Sequence, residues 1–245
     1  MVSRHSDVGR TNMKKTTILA ALLGLGALAA AAADVTGVIT LKGTPPKEVD
    51  ITPLKDDPTC SKLQTDTPTT HFFVVGSKSE FADVIVSVQG VNAKSAGASA
   101  PPVVLDQKGC LYVPQILAVQ TDQKIVVKNS DPVMHNVHDT PSVAGNEEKN
   151  MAQLPNGPDL TLSFPKPEEF VRFKCDVHAW MFAWISVFDH PYFTVSAKDG
   201  TFKIPNVPPG KYTLKAVHRK AGTMTKEIEV KEGQPLKADF AFEVK

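Results

Sequence analysis

Proline constrains the fold of this chain more than any other feature. All 19 prolines lie beyond the first 33 residues, and each lacks the backbone N–H that a helix interior requires. Between the prolines, apolar residues alternate with polar ones or run in short blocks bounded by Pro, Gly, Asn and Asp. This spacing is typical of strands and turns. The sequence therefore predicts an all-β protein.

The strand-like segments are spread over the whole chain. They cover 35–41, 71–75, 84–89, 117–119, 124–128, 160–164, 170–174, 185–188, 201–204, 212–217 and 225–230. Only 77–83 and 147–151 have a weak helical character. The polar, proline-ended stretch 92–102 and the turn at 198–200 predict boundaries between structural units.

The N-terminal region has the layout of a secretory signal peptide. A pair of lysines precedes a mostly apolar run over 18–33 that is short for a membrane span and ends in small residues. We expect residues 1–33 to be removed, with 1–12 as an extension upstream of a start at Met13. An uncleaved anchor is the alternative. Cleavage predicts a periplasmic or otherwise exported protein with no integral membrane span.

The charge balance excludes one class of partner. The chain has 27 basic and 26 acidic side chains, a net charge of +1, and no block of basic residues. Removal of the predicted signal peptide turns this into a slight acidic excess. We therefore expect no binding to nucleic acid.

Two short segments contain a set of soft metal-binding side chains. A Cys-x2-His-x2-Met stretch places Cys175, His178 and Met181 between two predicted strands, and His135 and His138 lie about forty residues earlier. A thiolate, two imidazoles and a thioether form the set that copper favours in electron-transfer sites. Zinc is the alternative, although a methionine ligand argues for copper.

His135 and His138 compete for the same ligand position. An offset of three on an extended strand directs the two side chains to opposite faces, so only one can face the site. We favour His135, with His138 packed or at the surface. The same alternation turns Met134 away from the site.

The segment 123–187 resembles the cupredoxin family, most closely the amicyanin type. The resemblance rests on MHNVH at 134–138, the C-x2-H-x2-M loop, and the runs KIVVKNSD and LTLSFPKPEEFVRFKC. It implies a Greek-key β-sandwich with one copper per chain. The matching ligand positions are His135, Cys175, His178 and Met181.

The resemblance also implies roles for neighbouring residues. Asn136 matches the residue that ties the histidine strand to the cysteine loop by hydrogen bonding. His178 matches the ligand nearest to solvent, which implies that it is the electron port. With Cys175 assigned to the metal, Cys60 and Cys110 remain as a disulfide pair, which persists in an exported protein.

The C-terminal segment resembles the carboxypeptidase regulatory-like, or transthyretin-like, sandwich family. The resemblance rests on DGTFKIPNVPPGKYTLKA and on an opening GVITLKG at 37–43. It implies that 34–100 and 190–245 form one transthyretin-like β-sandwich. The cupredoxin domain, 101–189, is then inserted between these two pieces.

The other histidines and the two tryptophans are expected to have structural roles or to border the site, and not to bind the metal. We expect His71 and His218 at the surface and His190 in a turn. Alternation places Trp180 and Trp184 on one face, where they either surround the loop histidine or pack in the core.

These features predict an exported mononuclear blue copper protein that carries one electron and is not an enzyme. We expect weak docking to redox proteins such as a cytochrome or a dehydrogenase. One alternative is a copper-binding sensor, storage or partner-recognition module. The other is a metal-free β-sandwich adhesion or scaffold protein. The chain has no His-x-His pair, which multicopper oxidases need, and no nucleophile elbow or HExxH motif.

Overall fold

The computed structural model describes residues 1–3 and 31–244. Nearly all of the regular secondary structure in the described residues is β-strand, so the predicted all-β class is confirmed. Most of the predicted signal peptide lies outside the described residues, and its cleavage stays a prediction. Among the described residues, no helix has the length and hydropathy needed to cross a membrane.

The described chain forms seventeen strands and one short α-helix. The strands are β1 (Ala33–Lys42), β2 (Ile85–Gln89), β3 (Val103–Gln107), β4 (Tyr112–Val113), β5 (Ile116–Gln120), β6 (Ile125–Asn129), β7 (His135–Thr140), β8 (Lys149–Gln153), β9 (Leu160–Leu162), β10 (Glu168–Lys174), β11 (Phe182–Phe188), β12 (Phe193–Val195), β13 (Thr201–Val207), β14 (Gly210–His218), β15 (Gly222–Val230), β16 (Leu236–Lys237) and β17 (Phe240–Glu243). The α-helix is α1 (Thr52–Asp56), and 3-10 turns cover Cys60–Leu63 and Gly97–Ser99.

The first sandwich is built from strands at both ends of the described chain. One sheet pairs β1 antiparallel with β13 and parallel with β16 and β17, and the other has the order β12-β2-β14-β15. Alternate residues of β1, among them Val35, Ile39 and Leu41, are buried. They share one hydrophobic core with Leu214 and Phe240, because inward-facing side chains recur every second residue.

The second sandwich is built from the middle of the chain. One sheet has the order β5-β11-β10-β7-β8 and the other β4-β3-β6-β9. Leu105, Val127, Val137, Phe173 and Ile185 belong to its core. This sandwich holds β7, β10 and β11, the three strands that border the predicted metal ligands.

Both weak helical predictions were wrong. Residues 77–83 form turns and isolated bridges, and residues 149–151 belong to β8, which pairs with β7. The stretch predicted as a strand at 71–75 makes only an isolated bridge, between Val75 and Phe81. Short local patterns fail here because pairing with distant strands decides the backbone conformation.

A segment from the N-terminal region packs into the second core. Ile51, Leu54 and Cys60 are buried there, and Cys60 forms a disulfide with Cys110, with an S–S distance of 2.06 Å. The predicted disulfide is therefore present, and it joins this segment to the loop between β3 and β4. We call residues 51–64 the cap.

Candidate metal centre

The predicted ligands lie at one end of the second sandwich. His135 begins β7, Cys175 follows β10, and Met181 precedes β11. The loop between β10 and β11 is held by two backbone hydrogen bonds. The Cys175 N–H donates to the Met181 carbonyl at 3.3 Å, and the Met181 N–H donates to the His178 carbonyl at 2.9 Å. The loop therefore turns its side chains toward the start of β7.

Three donor atoms converge at this point. Nδ1 of His135 lies 2.9 Å from Nδ1 of His178, which lies 3.9 Å from Sγ of Cys175. Donor atoms of these three residues all lie within 4.8 Å of one another. Metal–nitrogen and metal–sulfur bonds are roughly 2.0 to 2.3 Å long, so one ion can contact all three after small side-chain shifts. The Met181 side chain is fully buried in the same core.

His138 and Met134 lie apart from this convergence. The His138 side chain contacts two carboxylates, with Nδ1 2.7 Å from Asp176 and Nε2 2.6 Å from Glu148. The hydrogen bond to Glu148, and then that to Asp176, raise the pKa of His138 against the effect of burial. Met134 is exposed. These positions agree with the alternation of side chains along β7.

Asn136 ties β7 to the cysteine loop. Its backbone N–H points at Sγ of Cys175 at 3.4 Å, and its side-chain oxygen accepts the Asp176 N–H. Its side-chain amide donates to Asn150 on β8. The residue therefore connects the two halves of the site through both its backbone and its side chain, as the family resemblance implies.

Hydrogen bonds favour the thiolate form of Cys175. Burial raises the pKa of the thiol, but hydrogen bonding to His135 and to the backbone N–H groups of Asn136 and His178 outweighs it, so the pKa is lowered overall. The His178 N–H approaches the sulfur at 3.3 Å. Because the thiolate is the metal-binding form of cysteine, this shift makes the sulfur a readier metal ligand than that of an ordinary buried cysteine.

The two histidines differ in their preferred charge. Burial lowers the pKa of His135, but the hydrogen bond to Asp131 and the neighbouring Cys175 outweigh it, so the pKa is raised overall. Burial, and then the nearby His135, lower the pKa of His178. The surroundings therefore favour the protonated form of His135 more, and that of His178 less, than those of an ordinary histidine do.

Asp131 supports this centre, and the sequence analysis missed it. Its Oδ2 lies 2.9 Å from Nε2 of His135 and accepts the Cys110 N–H at 2.7 Å, while its Oδ1 accepts the Gly109 N–H at 2.6 Å. A carboxylate in this position orients a ligand histidine and fixes its tautomer. An acidic residue four positions before a predicted ligand was the available signal.

The edge of His178 is covered. The residue is 8% exposed, and its ring lies 5.1 Å from that of Trp180, centroid to centroid. A ring nitrogen also lies within 4.8 Å of the sulfurs of Cys60 and Cys110. The loop histidine is therefore less accessible than the family resemblance implies, because the cap and its disulfide lie against it.

The tryptophans and the other histidines named in the sequence analysis lie at different places in the two sandwiches. Trp180 Nε1 donates to the Cys110 carbonyl at 3.0 Å, so this tryptophan borders the site. Trp184 lies instead beneath the guanidinium of Arg219, 4.1 Å from its ring centroid. His71 is exposed and His190 is buried at a bend. The surface prediction for His218 was wrong, because its ring packs against Phe81 in the first sandwich.

Comparisons with known proteins give only partial structural matches. No protein-family model and no curated protein matches the chain. A copper-containing nitrite reductase from Thermus scotoductus SA-01 is 23% identical, with a TM-score of 0.33, and the match covers 41% of this chain and 25% of that chain. The chain thus spans about a quarter of that reductase.

Two amicyanin mutants are also similar to part of the chain. One, in the Cu(I) form, is 18% identical, and a second, reduced, is 19% identical. Both have a TM-score of 0.32, and both matches cover 42% of this chain and 97% of the other.

Proposed function

We propose that this protein is an exported mononuclear blue copper protein that carries one electron and catalyses no reaction of its own. The observation that carries the proposal is the buried convergence of His135, Cys175 and His178, with donor atoms within 4.8 Å of one another. A thiolate and two imidazoles, with a weak axial methionine, form the donor set of blue-copper sites. Bound copper supplies the one-electron couple.

The donor set fits copper better than zinc. Structural zinc sites are closed by four ligands drawn from Cys, His and carboxylates. The fourth predicted ligand here is Met181, which is fully buried in the same hydrophobic core as Cys175. The carboxylate of Asp131 is already engaged by His135 and two backbone N–H groups. A soft thioether in the fourth position therefore favours copper.

Supporting contacts within the chain orient these donors. Asp131 orients His135, and backbone N–H groups of Asn136 and His178 orient the Cys175 sulfur. Donors that are fixed by such supporting contacts rearrange little when the charge at the centre changes. A one-electron carrier needs this property.

The visible spectrum of the Cu(II)-loaded protein tests this proposal. We expect one copper per chain and an intense thiolate-to-copper absorption, which Cys175→Ser abolishes. His135→Gln should also lose the band. His138→Gln is the matched control and should keep it, because that side chain points to Glu148 and Asp176. An absent band in the wild type, or its persistence in Cys175→Ser, contradicts the proposal.

The covered edge of His178 favours a second candidate function. A copper-binding sensor, storage or partner-recognition module does not require an open electron port, and His178 is only 8% exposed. Stopped-flow electron exchange with a small soluble cytochrome separates the two. Fast exchange supports the carrier, and slow exchange with an intact copper band supports the second candidate. Lack of stoichiometric copper after loading favours a metal-free scaffold instead.

A further inference from the structure

A second cluster of soft donors adjoins the candidate metal centre. The sulfurs of Cys60 and Cys110 and a ring nitrogen of His178 lie within 4.8 Å of one another, and all three residues are buried. His178 therefore belongs to two clusters at once. In the structure the two sulfurs are joined as a disulfide, which leaves neither free to bind a metal.

We propose that Cys60 and Cys110, once reduced, form with His178 a second metal site that binds Cu(I). Two thiolates and an imidazole are soft donors, which suit Cu(I). The Cα atoms of the two cysteines are 5.6 Å apart, so both side chains still reach a common point after the S–S bond opens. This site does not depend on the proposed electron-carrier function.

Reduction by a thiol–disulfide oxidoreductase creates the site, and because both cysteines are buried, it requires the cap to move aside first. One thiolate of the donor protein attacks a sulfur of the Cys60–Cys110 disulfide, and its second thiolate resolves the mixed disulfide. Two electrons and two protons pass to the cysteine pair, and the donor protein is left with a disulfide. Binding of Cu(I) then displaces the two thiol protons to solvent.

The two cysteines are supported differently. The Cys110 N–H donates to Asp131 at 2.7 Å, and its carbonyl accepts the Trp180 N–H at 3.0 Å, so Cys110 is tied to the metal centre without the disulfide. Cys60 belongs to the cap, where its N–H donates to Asp57 at 2.7 Å. Reduction therefore frees mainly the cap side of the cluster.

Cu(I) titration in a variant without the first site tests the proposal. Cys175→Ser combined with His135→Gln removes two donors of that site and leaves Cys60, Cys110 and His178. We expect the variant reduced by a phosphine to retain one equivalent of Cu(I) against bicinchoninate, and the oxidised variant to retain none. X-ray absorption should show sulfur ligands. Adding Cys60→Ser should abolish retention.

Two further comparisons complete the test, one in the wild type and one between two histidine variants. In wild type a neutral His178 has one lone pair and serves one ion at a time, so the second Cu(I) is held there by the thiolates of Cys60 and Cys110. Reduced wild type should therefore still bind one more equivalent of Cu(I) than oxidised wild type, which decides the matter if the combined variant does not fold. In the reduced combined variant, His178→Gln should weaken retention, whereas His190→Gln, equally buried at 8%, should not. Equal Cu(I) retention by oxidised and reduced protein overturns the proposal. A missing Cu(II) band in the wild type overturns only the proposed carrier.

Discussion

The single residue Asp131 connects the candidate metal centre with the loop that contains Cys110. One carboxylate contacts His135 and accepts the N–H groups of Gly109 and Cys110. It is 5% exposed, so its hydrogen bonds face little competition from water. The residue therefore helps to fix both the ring orientation of His135 and the position of Cys110.

We expect Asp131→Asn to weaken copper binding by about 10- to 100-fold, the usual loss when a ligand histidine loses its supporting partner. The pKa of His135 should also fall, because the hydrogen bond to Asp131 helps to raise it. Competition with a copper chelator measures the first effect, and NMR titration of the metal-free protein the second. Asp159→Asn, an exposed change in the same sandwich, is the control.

The raised pKa of His135 also makes the stability of the fold depend on pH. A group whose pKa is raised by folding stabilises the fold below its unfolded pKa, and this contribution is lost as pH rises through the folded pKa. In metal-free Asp131→Asn, the free energy of unfolding should therefore fall less with rising pH than it does in metal-free wild type. Unchanged copper affinity together with an unchanged stability profile contradicts the role given to Asp131.

At the scale of elements, β14 ends in a buried histidine. Nδ1 of His218 accepts the N–H groups of Lys220 and Ala221 at 3.3 and 3.0 Å, and its ring centroid lies 4.3 Å from that of Phe81. Burial, and then the neighbouring Arg219, lower the pKa of His218 to about 4. The β14–β15 turn is therefore built on a neutral imidazole.

We expect acid to destabilise the protein through His218. The unfolded state takes up the proton near the ordinary histidine pKa, so this contribution is full above that pKa and is lost as pH falls toward 4. The loss between neutral pH and about pH 5 should be about 2 kcal/mol. Urea unfolding of wild type and His218→Asn at both pH values measures it. His71→Asn, an exposed change, is the control, and an equal pH dependence of all three proteins contradicts the prediction.

Local pattern predicted most strands and the candidate ligands. The alternation in β1 and β14 is visible in the sequence because each strand buries one face, and the C-x2-H-x2-M spacing is local as well. The polar strand β8 was not predicted, because its pairing with β7 defines it and its own residues show no strand pattern. The burial of His178 was not predicted, because the cap that covers it lies more than one hundred positions earlier in the chain. Only tertiary packing brings the cap to the site.

At the scale of the whole molecule, a cation–aromatic cluster joins the two sandwiches. Arg219, just after β14, lies 4.1 Å from the Trp184 ring centroid on β11 and 5.5 Å from that of Phe72. Phe72 stacks on Phe182 with centroids 5.6 Å apart. Because β11 begins directly after Met181, the cluster links the first sandwich to a strand that adjoins the candidate metal centre.

We expect Arg219→Met to lower the free energy of unfolding by about 1 kcal/mol, because it removes a partly desolvated cation from an aromatic face while keeping the aliphatic stem. Lys211→Met, an exposed change on β14, is the control and should cost less. Denaturant unfolding compares the two. Equal costs for both changes contradict a specific contribution of this cluster.

The parallel pairing of β1 with β17 determines when each half of the protein can fold. Ile39 pairs with Phe240, whereas every strand of the second sandwich lies between Val103 and Phe188. As the chain emerges N-terminus first, the second sandwich is complete while β1 still lacks its partners. Until the last strands arrive, β1 presents an unpaired edge that invites association with other chains. A chain cut short in its final strands would therefore hold the candidate metal ligands and still tend to aggregate.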